Sequence, residues 1–333
     1  MTRSRMLGRP GMAAISLAAA TLAAVSVTAS AADNRPYPQR PVRIVAAQQA
    51  GSATDNVARL VADALEAHWG VAVTVENRPG AGGTIGAEAA ARATPDGYTL
   101  LVGGTSNLVI AAATEPELRY DPPKDFVPVG RFAHVPFAFA VNPEVPAHSL
   151  RELADLARAE PGKLTYATVG PTTSSGFGMA MFLSQAGIDM LPVEYKGITS
   201  ALPDMLSGRV NAIFNEVAVL SAHSGKLRVL AVASPRRVAR LPDVPTTAEA
   251  GYPGVVIAPW YGLLAPAGTP PEVLQRLGEA YEAAMRSPTT RKRIDALGYV
   301  PIDDMPGQFA SALREDIAAI RAIARRSASA APR

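Results

Sequence analysis

The sequence has no cysteine among its 333 residues, and that absence excludes several classes of protein. Without thiols the chain cannot form structural disulfides, use thiol catalysis or hold a metal through thiolates. It also cannot be a lipoprotein that is tethered through an N-terminal thioether. The fold must therefore be held by burial of apolar side chains, and 48% of the residues are hydrophobic.

Histidine is scarce, and the sequence patterns of common enzymes are missing. No GxSxG or SxxK motif marks a nucleophilic serine. The stretch Gly80–Gly86 resembles a dinucleotide-binding loop, but Ile85 stands where that motif requires its third glycine. The histidines lie far apart and lack the HExxH spacing of a zinc site: His68, His134, His148 and His223. The sequence therefore predicts no catalytic residues, no metal and no cofactor.

The N-terminus has the pattern of a secretory signal peptide. Arg3, Arg5 and Arg9 precede the apolar run Met12–Val27, and Ala29–Ala31 fits an Ala-x-Ala cleavage site. We predict a signal peptide over residues 1–32, with an uncleaved membrane anchor as the alternative. Its removal leaves as many basic as acidic residues. The mature chain then lacks the excess of positive charge that nucleic-acid binding needs.

The order of apolar patterns predicts an α/β fold in two units. Strands are expected at Val42–Ala46, 71–75 and 98–102 with helices between them, which calls for a parallel sheet. A second alternating set begins at Phe137, and about 300 mature residues exceed one comfortable core. We expect one lobe from residues 33–134 plus 258–333 and a second lobe from residues 135–257. The two final helices should pack on the first sheet.

Two strand-to-helix loops have the composition of anion-binding sites. Each of the loops 48–54 and 168–176 combines glycine with hydroxyl side chains at an expected helix N-terminus, where backbone N–H groups and the helix dipole favour negative charge. The structural alternative is that Ser52 or Thr54, and likewise Ser174, caps its own helix. Two such loops in equivalent places favour binding, because ligands of open α/β sheets lie at the carboxyl ends of strands.

Six stretches of the sequence carry a family resemblance: Val75–Gly83, Thr94–Leu101, Val193–Phe214, Gly225–Val232, Leu241–Thr246 and Trp260–Pro266. Together they resemble the Bug-type periplasmic solute receptors of tripartite tricarboxylate transporters, and the resemblance covers essentially the whole mature chain. It implies a two-lobed periplasmic-binding-protein fold with a ligand cleft between the lobes. It also implies a monomeric protein of the periplasm that captures a small organic carboxylate and delivers it to inner-membrane permease subunits.

The resemblance also implies which residues surround the ligand. They lie on three loops, with Tyr195 and the residue after Phe214 facing the cleft as well. The expected ligand-binding residues are Gln48, Gln49, Gly51, Ser52, Ala53, Thr54, Thr105, Ser106, Asn107, Thr168, Gly170, Thr172, Thr173, Ser174, Tyr195 and Asn215. Two departures from the family are the run 48–50, where an aromatic and prolines are common, and Asn215, where aspartate is common. A neutral amide at position 215 suggests a ligand without a free ammonium group and with an acceptor nearby.

Several alternatives stay open from the sequence. The receptor can signal to a sensor kinase instead of feeding transport, and a secreted hydrolase using the hydroxyl-rich loop is the remaining enzymatic reading. Dicarboxylates, tricarboxylates, aromatic acids, and amino or nicotinic acids are all candidate ligands. Arg78 is either a ligand contact or a structural partner of Glu76. Trp260 and Tyr261 either line the mouth of the cleft or pack at the hinge.

Overall fold

The computed structural model describes residues 1–2, 37–302, 304 and 306–330. Its main compact unit begins at Arg40. The predicted signal peptide lies outside the described residues except for its first two positions, and it stays a prediction. Among the residues that are described, no helix has the length and apolar character needed to cross a bilayer.

The first sheet has six strands, in the spatial order β11-β4-β10-β3-β1-β2. They are β1 (Val42–Ala46), β2 (Val73–Asn77), β3 (Thr99–Gly104), β4 (Phe126–His134), β10 (Trp260–Pro266) and β11 (Val300–Pro301). The first three run parallel, and Ile44 of the central β1 pairs with Val75 on one side and Leu100 on the other. The predicted parallel β-α-β-α-β unit is confirmed. The antiparallel half made by β4, β10 and β11 is an addition that the sequence patterns did not indicate.

Seven α-helices accompany this sheet in the described chain: α1 (Ala53–Trp69), α2 (Thr84–Ala91), α3 (Ala111–Thr114), α4 (Pro122–Asp125), α9 (Pro271–Arg286), α10 (Pro288–Ala296) and α11 (Pro306–Ala330). In α1 the buried side chains at Val57, Leu60, Val61 and Leu65 recur at helical spacing and form its apolar face. Helices α9 and α11 both contact β4, so the prediction that the final helices pack on the first sheet is confirmed.

The second sheet has five strands, in the order β7-β6-β8-β5-β9. They are β5 (Phe137–Val141), β6 (Thr165–Thr168), β7 (Leu191–Glu194), β8 (Ala212–Glu216) and β9 (Arg228–Val232). Its helices are α5 (Leu150–Ala159), α6 (Ser174–Ala186), α7 (Ile198–Leu206) and α8 (Val217–Ser221). Strands β6, β7 and β8 are parallel, whereas β5 is antiparallel to its neighbours β8 and β9.

We call the first sheet with its helices lobe one and the second sheet with its helices lobe two. The chain passes between the two sheets after β4 and again between β9 and β10. Each lobe has its own core: Trp260 meets Phe309 edge to face in lobe one, and Phe139 packs against Phe182 and Phe214 in lobe two. The residue numbers proposed for the lobe boundaries stay a prediction.

Candidate ligand-binding site

The loop between β1 and α1 is held by the buried carboxylate of Asp55. This carboxylate accepts hydrogen bonds from Gly51 N (2.9 Å), Asn77 Nδ2 (2.9 Å) and Arg59 Nε (3.1 Å). Burial acts to raise the pKa of Asp55, but these hydrogen bonds outweigh burial and hold that pKa below its usual value. Asn77 Nδ2 also donates to the carbonyl of Gln48 at 3.2 Å. The loop is therefore tied to the carboxyl end of β2.

The loop between β6 and α6 is closed by Thr173. Its Oγ1 accepts a hydrogen bond from Gly176 N at 3.2 Å and donates to the carbonyl of Gly170 at 2.7 Å. Gly170 has a φ of 110°, a conformation that favours glycine. Thr173 is therefore the N-cap of α6, and the sequence-based alternative that Ser174 caps this helix is wrong.

Ser52 occupies the same position in the first loop and caps α1. Its Oγ accepts a hydrogen bond from Asp55 N at 3.3 Å, so the capping alternative is confirmed for this residue. A cap satisfies only part of the N–H groups left open in a helix's first turn. The first residues of both helices line one cavity, namely Ala53 and Thr54 of α1 with Ser174 and Ser175 of α6. Two helix N-termini, one from each lobe, thus meet at this cavity.

The cavity brings together many of the residues predicted from the sequence. Those in its wall are Gln48, Gln49, Ser52, Ala53, Thr54, Ser106, Thr173, Ser174 and Asn215. The other residues of the wall were not among the expected ligand-binding residues, although some lie in the two predicted loops: Ala50, Phe137, Val169, Ser175, Gly197, Ile198, Glu216 and Tyr261. The described wall contains no lysine, arginine or histidine, and Glu216 is its one acidic side chain. Amides, hydroxyls and helix N-termini are therefore the groups that face a ligand.

The two lobes contact each other directly around this cavity. Gln49 Nε2 of lobe one donates to the carbonyl of Lys196 in lobe two at 2.8 Å. Ser106 Oγ of lobe one accepts a hydrogen bond from Ser174 N at 3.0 Å and lies 3.2 Å from Ser174 Oγ. The lobes are thus in a closed arrangement that hydrogen bonds between them stabilise.

Three predicted residues line a neighbouring groove instead. Gly170, Thr172 and Tyr195 share that groove with Gln48 and Gln49, which also belong to the main cavity. The hydroxyl of Tyr195 donates to Asp204 Oδ2 at 2.8 Å, so this hydroxyl already has a partner in its own lobe. Whether these three residues contact a ligand stays a prediction.

The remaining predicted residues line neither space, and three of them brace the backbone near the cavity. Thr105 Oγ1 accepts a hydrogen bond from Trp260 N at 2.9 Å. Asn107 Oδ1 accepts from Gly104 N at 2.9 Å, and Thr168 Oγ1 accepts from Gly170 N at 3.1 Å. Gly51, the fourth residue, has a φ of 80° and turns the first loop. Their direct contact with a ligand stays a prediction.

The end of β8 places two adjacent polar side chains in the cavity wall. Asn215 is 4% exposed, and its Oδ1 accepts a hydrogen bond from Glu216 N at 2.6 Å. Glu216 is 8% exposed, and its Oε2 accepts a hydrogen bond from Tyr299 of lobe one at 3.3 Å. Burial raises the pKa of Glu216 to about 7, and the hydrogen bond from Tyr299 acts in the opposite direction. No sequence pattern indicated Glu216 as a site residue, because an acid at a strand end usually faces water.

The structure separates the roles of the neighbours Trp260 and Tyr261. Trp260 lies in the core of lobe one, where its Nε1 donates to Asp316 Oδ2 at 2.7 Å. Tyr261 lies on the opposite face of β10 and lines the cavity, as alternation along a strand requires. Arg78 pairs with Glu76, so its structural interpretation is confirmed.

The comparison with known families decides what kind of protein this is. A family model described as the tripartite tricarboxylate transporter family receptor, TctC, matches residues 57–327. The chain belongs to this receptor family. BugT of Bordetella pertussis is 34% identical to the chain over 284 residues, which make up 84% of this chain and 87% of BugT. The resemblance found in the sequence is thereby confirmed.

Solved structures of the TctC-like kind have the same fold. R. palustris Rpa4515 with adipate is 30% identical with a TM-score of 0.83, and the match covers 88% of this chain and 98% of that one. MatC from Rhodopseudomonas palustris with bound malate is 30% identical with a TM-score of 0.81, over 86% of this chain and 99% of MatC. The predicted two-lobed α/β fold is confirmed. Like its family, the chain is a solute-binding receptor and not an enzyme, which excludes the hydrolase alternative.

Proposed function

We propose that this TctC receptor binds a small dicarboxylate between its lobes in the periplasm and delivers it to an inner-membrane permease. The observation that carries the proposal is the pair of helix N-termini that meet at one cavity without any basic side chain on the described wall. Backbone N–H groups at helix N-termini bind carboxylates, and the helix dipoles favour their charge. The adipate and malate found in the two R. palustris relatives support the dicarboxylate class.

The closed cavity favours a compact acid. Its volume is about 80 Å³, which is smaller than the cavity of about 150 Å³ that holds a benzene molecule in another protein. A four-carbon dicarboxylate is larger than benzene, so it requires the lobes to separate, and a longer or aromatic acid requires them to move further apart. We rank succinate and malate ahead of adipate, citrate and benzoate.

A thermal-shift panel followed by titration calorimetry tests this function. Succinate, malate, adipate, citrate, benzoate and nicotinate are each added to the purified mature protein. A ligand at 100 times its dissociation constant stabilises the folded state by about 2.7 kcal/mol. The expected result is a raised melting temperature with the short dicarboxylates. The absence of any shift across the dicarboxylates, at acidic and at neutral pH, would contradict the proposed ligand class.

Delivery to a permease is tested separately from binding. Deletion of the receptor gene should abolish uptake of the radiolabelled dicarboxylate by cells, and a plasmid copy should restore uptake. If the deletion leaves uptake intact but removes a transcriptional response to the same acid, the receptor serves a sensor kinase instead. The same cells show where the protein is, because the mature form should appear in the periplasmic fraction.

A further inference from the structure

Glu216 is a carboxyl group in the cavity wall that the proposed function has not yet used. It is the last residue of β8, and its Oε2 accepts the hydrogen bond from Tyr299. Its Oε1 has no hydrogen-bond partner among the described residues. Among the described residues, His134 Nδ1 is the only side-chain nitrogen or oxygen that is both fully buried and without a hydrogen-bond partner. Because Oε1 of Glu216 also lacks a partner, it is not fully buried, and it is open to the cavity that Glu216 lines.

The groups that face Glu216 do not supply a positive charge. They are two tyrosines, Tyr261 on β10 and Tyr299 in the segment between α10 and β11. Burial raises the pKa of both tyrosines, so they stay neutral at physiological pH. No cationic side chain of the described chain acts on Glu216. An ionised carboxylate without a cationic partner is costly to bury, so the site favours the protonated acid.

A protonated Glu216 is a hydrogen-bond donor, and Asn215 in the same cavity wall supplies a second donor. The Oδ1 of Asn215 is occupied by Glu216 N, and its Nδ2 has no hydrogen-bond partner in the described chain. Each of these donors in the wall can bond to an oxygen of a ligand carboxylate. The second carboxylate of a dicarboxylate then faces the helix N-termini of α1 and α6.

We propose that Glu216 recognises one carboxylate of the ligand in its protonated form, so that the receptor takes up a proton together with a dicarboxylate. This inference rests on the proposed function and makes it specific. The proton comes from solvent and is held on the Glu216 carboxyl, between that group and the ligand carboxylate. No bond of the ligand is made or broken.

The opposite assignment is an ionised Glu216 that pairs with a ligand ammonium group. The surroundings disfavour it, because the partial positive charges of two helix N-termini face the same small cavity and repel a cation. The two assignments differ in the sign of their pH dependence. Two carboxyl groups within hydrogen-bond distance cannot both ionise, so dicarboxylate binding takes up a proton, whereas ammonium binding favours its release.

Titration calorimetry with two matched probes tests the inference. Succinate and L-aspartate differ by one amino group, and each is titrated between about pH 6 and pH 9 in buffers with different heats of ionisation. For the wild type we expect succinate binding to take up close to one proton above about pH 7, with affinity falling about tenfold per pH unit there. Glu216→Gln should bind succinate with little pH dependence and more tightly than the wild type at alkaline pH.

The control variant is Glu272→Gln, which removes the same charge from an exposed position on α9. It should bind succinate with the same affinity and the same pH dependence as the wild type. A pH-independent affinity of the wild type for succinate would overturn the inference while leaving the proposed function intact. Tighter binding of L-aspartate than succinate, lost in Glu216→Gln, would show that Glu216 is an ammonium site. If no dicarboxylate binds at any pH, both the function and the inference are wrong.

A ligand-free measurement checks the protonation state of Glu216 directly. Infrared difference spectra between the wild type and Glu216→Gln should contain the band of a protonated carboxyl group at about pH 6 and lose it by about pH 9. The spectrum of Glu272→Gln provides the baseline for an exposed carboxylate. A Glu216 that is already ionised at the acidic end of this range would contradict the proposal without reference to any ligand.

Discussion

At the scale of single residues, ligand charge depends on the neighbours Asn215 and Glu216. The wall of the cavity offers only neutral donors when Glu216 is protonated, and it gains one negative charge when Glu216 ionises. Any further negative charge at this place should repel a ligand carboxylate. Asn215 is therefore the position where a substitution of nearly equal size reports most directly on ligand charge.

We expect Asn215→Asp to weaken dicarboxylate binding by more than about tenfold near neutral pH, equivalent to roughly 1.4 kcal/mol. The substitution replaces the donor Nδ2 by a carboxylate oxygen, and most of the loss should be recovered at a pH low enough to protonate the new acid. Titration calorimetry with succinate at two pH values measures the effect. Ser207→Asp adds a charge at an exposed position outside the wall and should leave affinity unchanged. Unchanged or tighter binding by Asn215→Asp at neutral pH would mean that the ligand charge is assigned wrongly.

The buried Glu216 should also make the stability of the free protein depend on pH. The pKa of Glu216 is about 7 in the folded state and about 4.5 in the unfolded state, so the folded protein binds more protons between these two pH values. The contribution of Glu216 to the free energy of unfolding is therefore present at acidic pH and is lost as the pH rises towards 7. The difference of about 2.5 pKa units corresponds to about 3 kcal/mol.

Urea unfolding of the wild type and Glu216→Gln at about pH 5 and pH 8 isolates this contribution. Relative to the wild type, the variant should gain up to about 3 kcal/mol of stability between the two pH values. Glu272→Gln should show no such gain, since that carboxylate is exposed. Equal pH profiles for all three proteins would indicate that Glu216 titrates as an ordinary surface acid.

At the scale of elements, the sequence predicts best where a pattern is local. The strands β1 and β5 run over the residues expected from their apolar runs, and the hydroxyl-glycine loops do open α1 and α6. Strand β10 was not predicted. It pairs with β3 and β4, which lie about 130 to 160 residues away in the sequence, and no local alternation of apolar and polar residues indicates this pairing. Glu216 was missed for a related reason: its burial depends on Tyr299, a residue of the other lobe.

The loop before α6 should be sensitive to substitution because Gly170 adopts a conformation that other residues rarely adopt. Its φ is 110°, yet a Cβ at this position would meet no atom within 4 Å. Any effect of Gly170→Ala therefore comes from backbone strain, which costs about 1–3 kcal/mol. Gly225 also has open space around it but lacks a positive φ, so Gly225→Ala should cost far less.

Urea unfolding of the two alanine variants measures that difference, and succinate titration shows whether the strained loop also loses affinity. The expected result is lower stability for Gly170→Ala only, accompanied by weaker binding because Thr173 depends on the Gly170 carbonyl for its position. Equal stabilities of the two variants would mean that the loop tolerates a different backbone path.

At the scale of the whole molecule, the hydrogen bonds between the lobes connect ligand binding to closure. A ligand that touches both lobes stabilises the closed state by its differential affinity for that state. The contact from Gln49 Nε2 to the Lys196 carbonyl exists only when the lobes meet, so it adds to closure without belonging to either core. One such hydrogen bond contributes about 0.5–1.5 kcal/mol.

Small-angle X-ray scattering with saturating succinate should therefore show a smaller radius of gyration than the free protein. Gln49→Ala should reach the same compact state but need about three- to tenfold more succinate, as the loss of about 1 kcal/mol from the closed state implies. Gln185→Ala truncates the same type of side chain on the exposed face of α6 and should follow the wild-type curve. A radius of gyration that does not change in the wild type under calorimetrically verified saturation would rule out closure of the lobes on the ligand. Compaction at the same succinate concentration in all three proteins would instead show that the Gln49 contact does not contribute to closure.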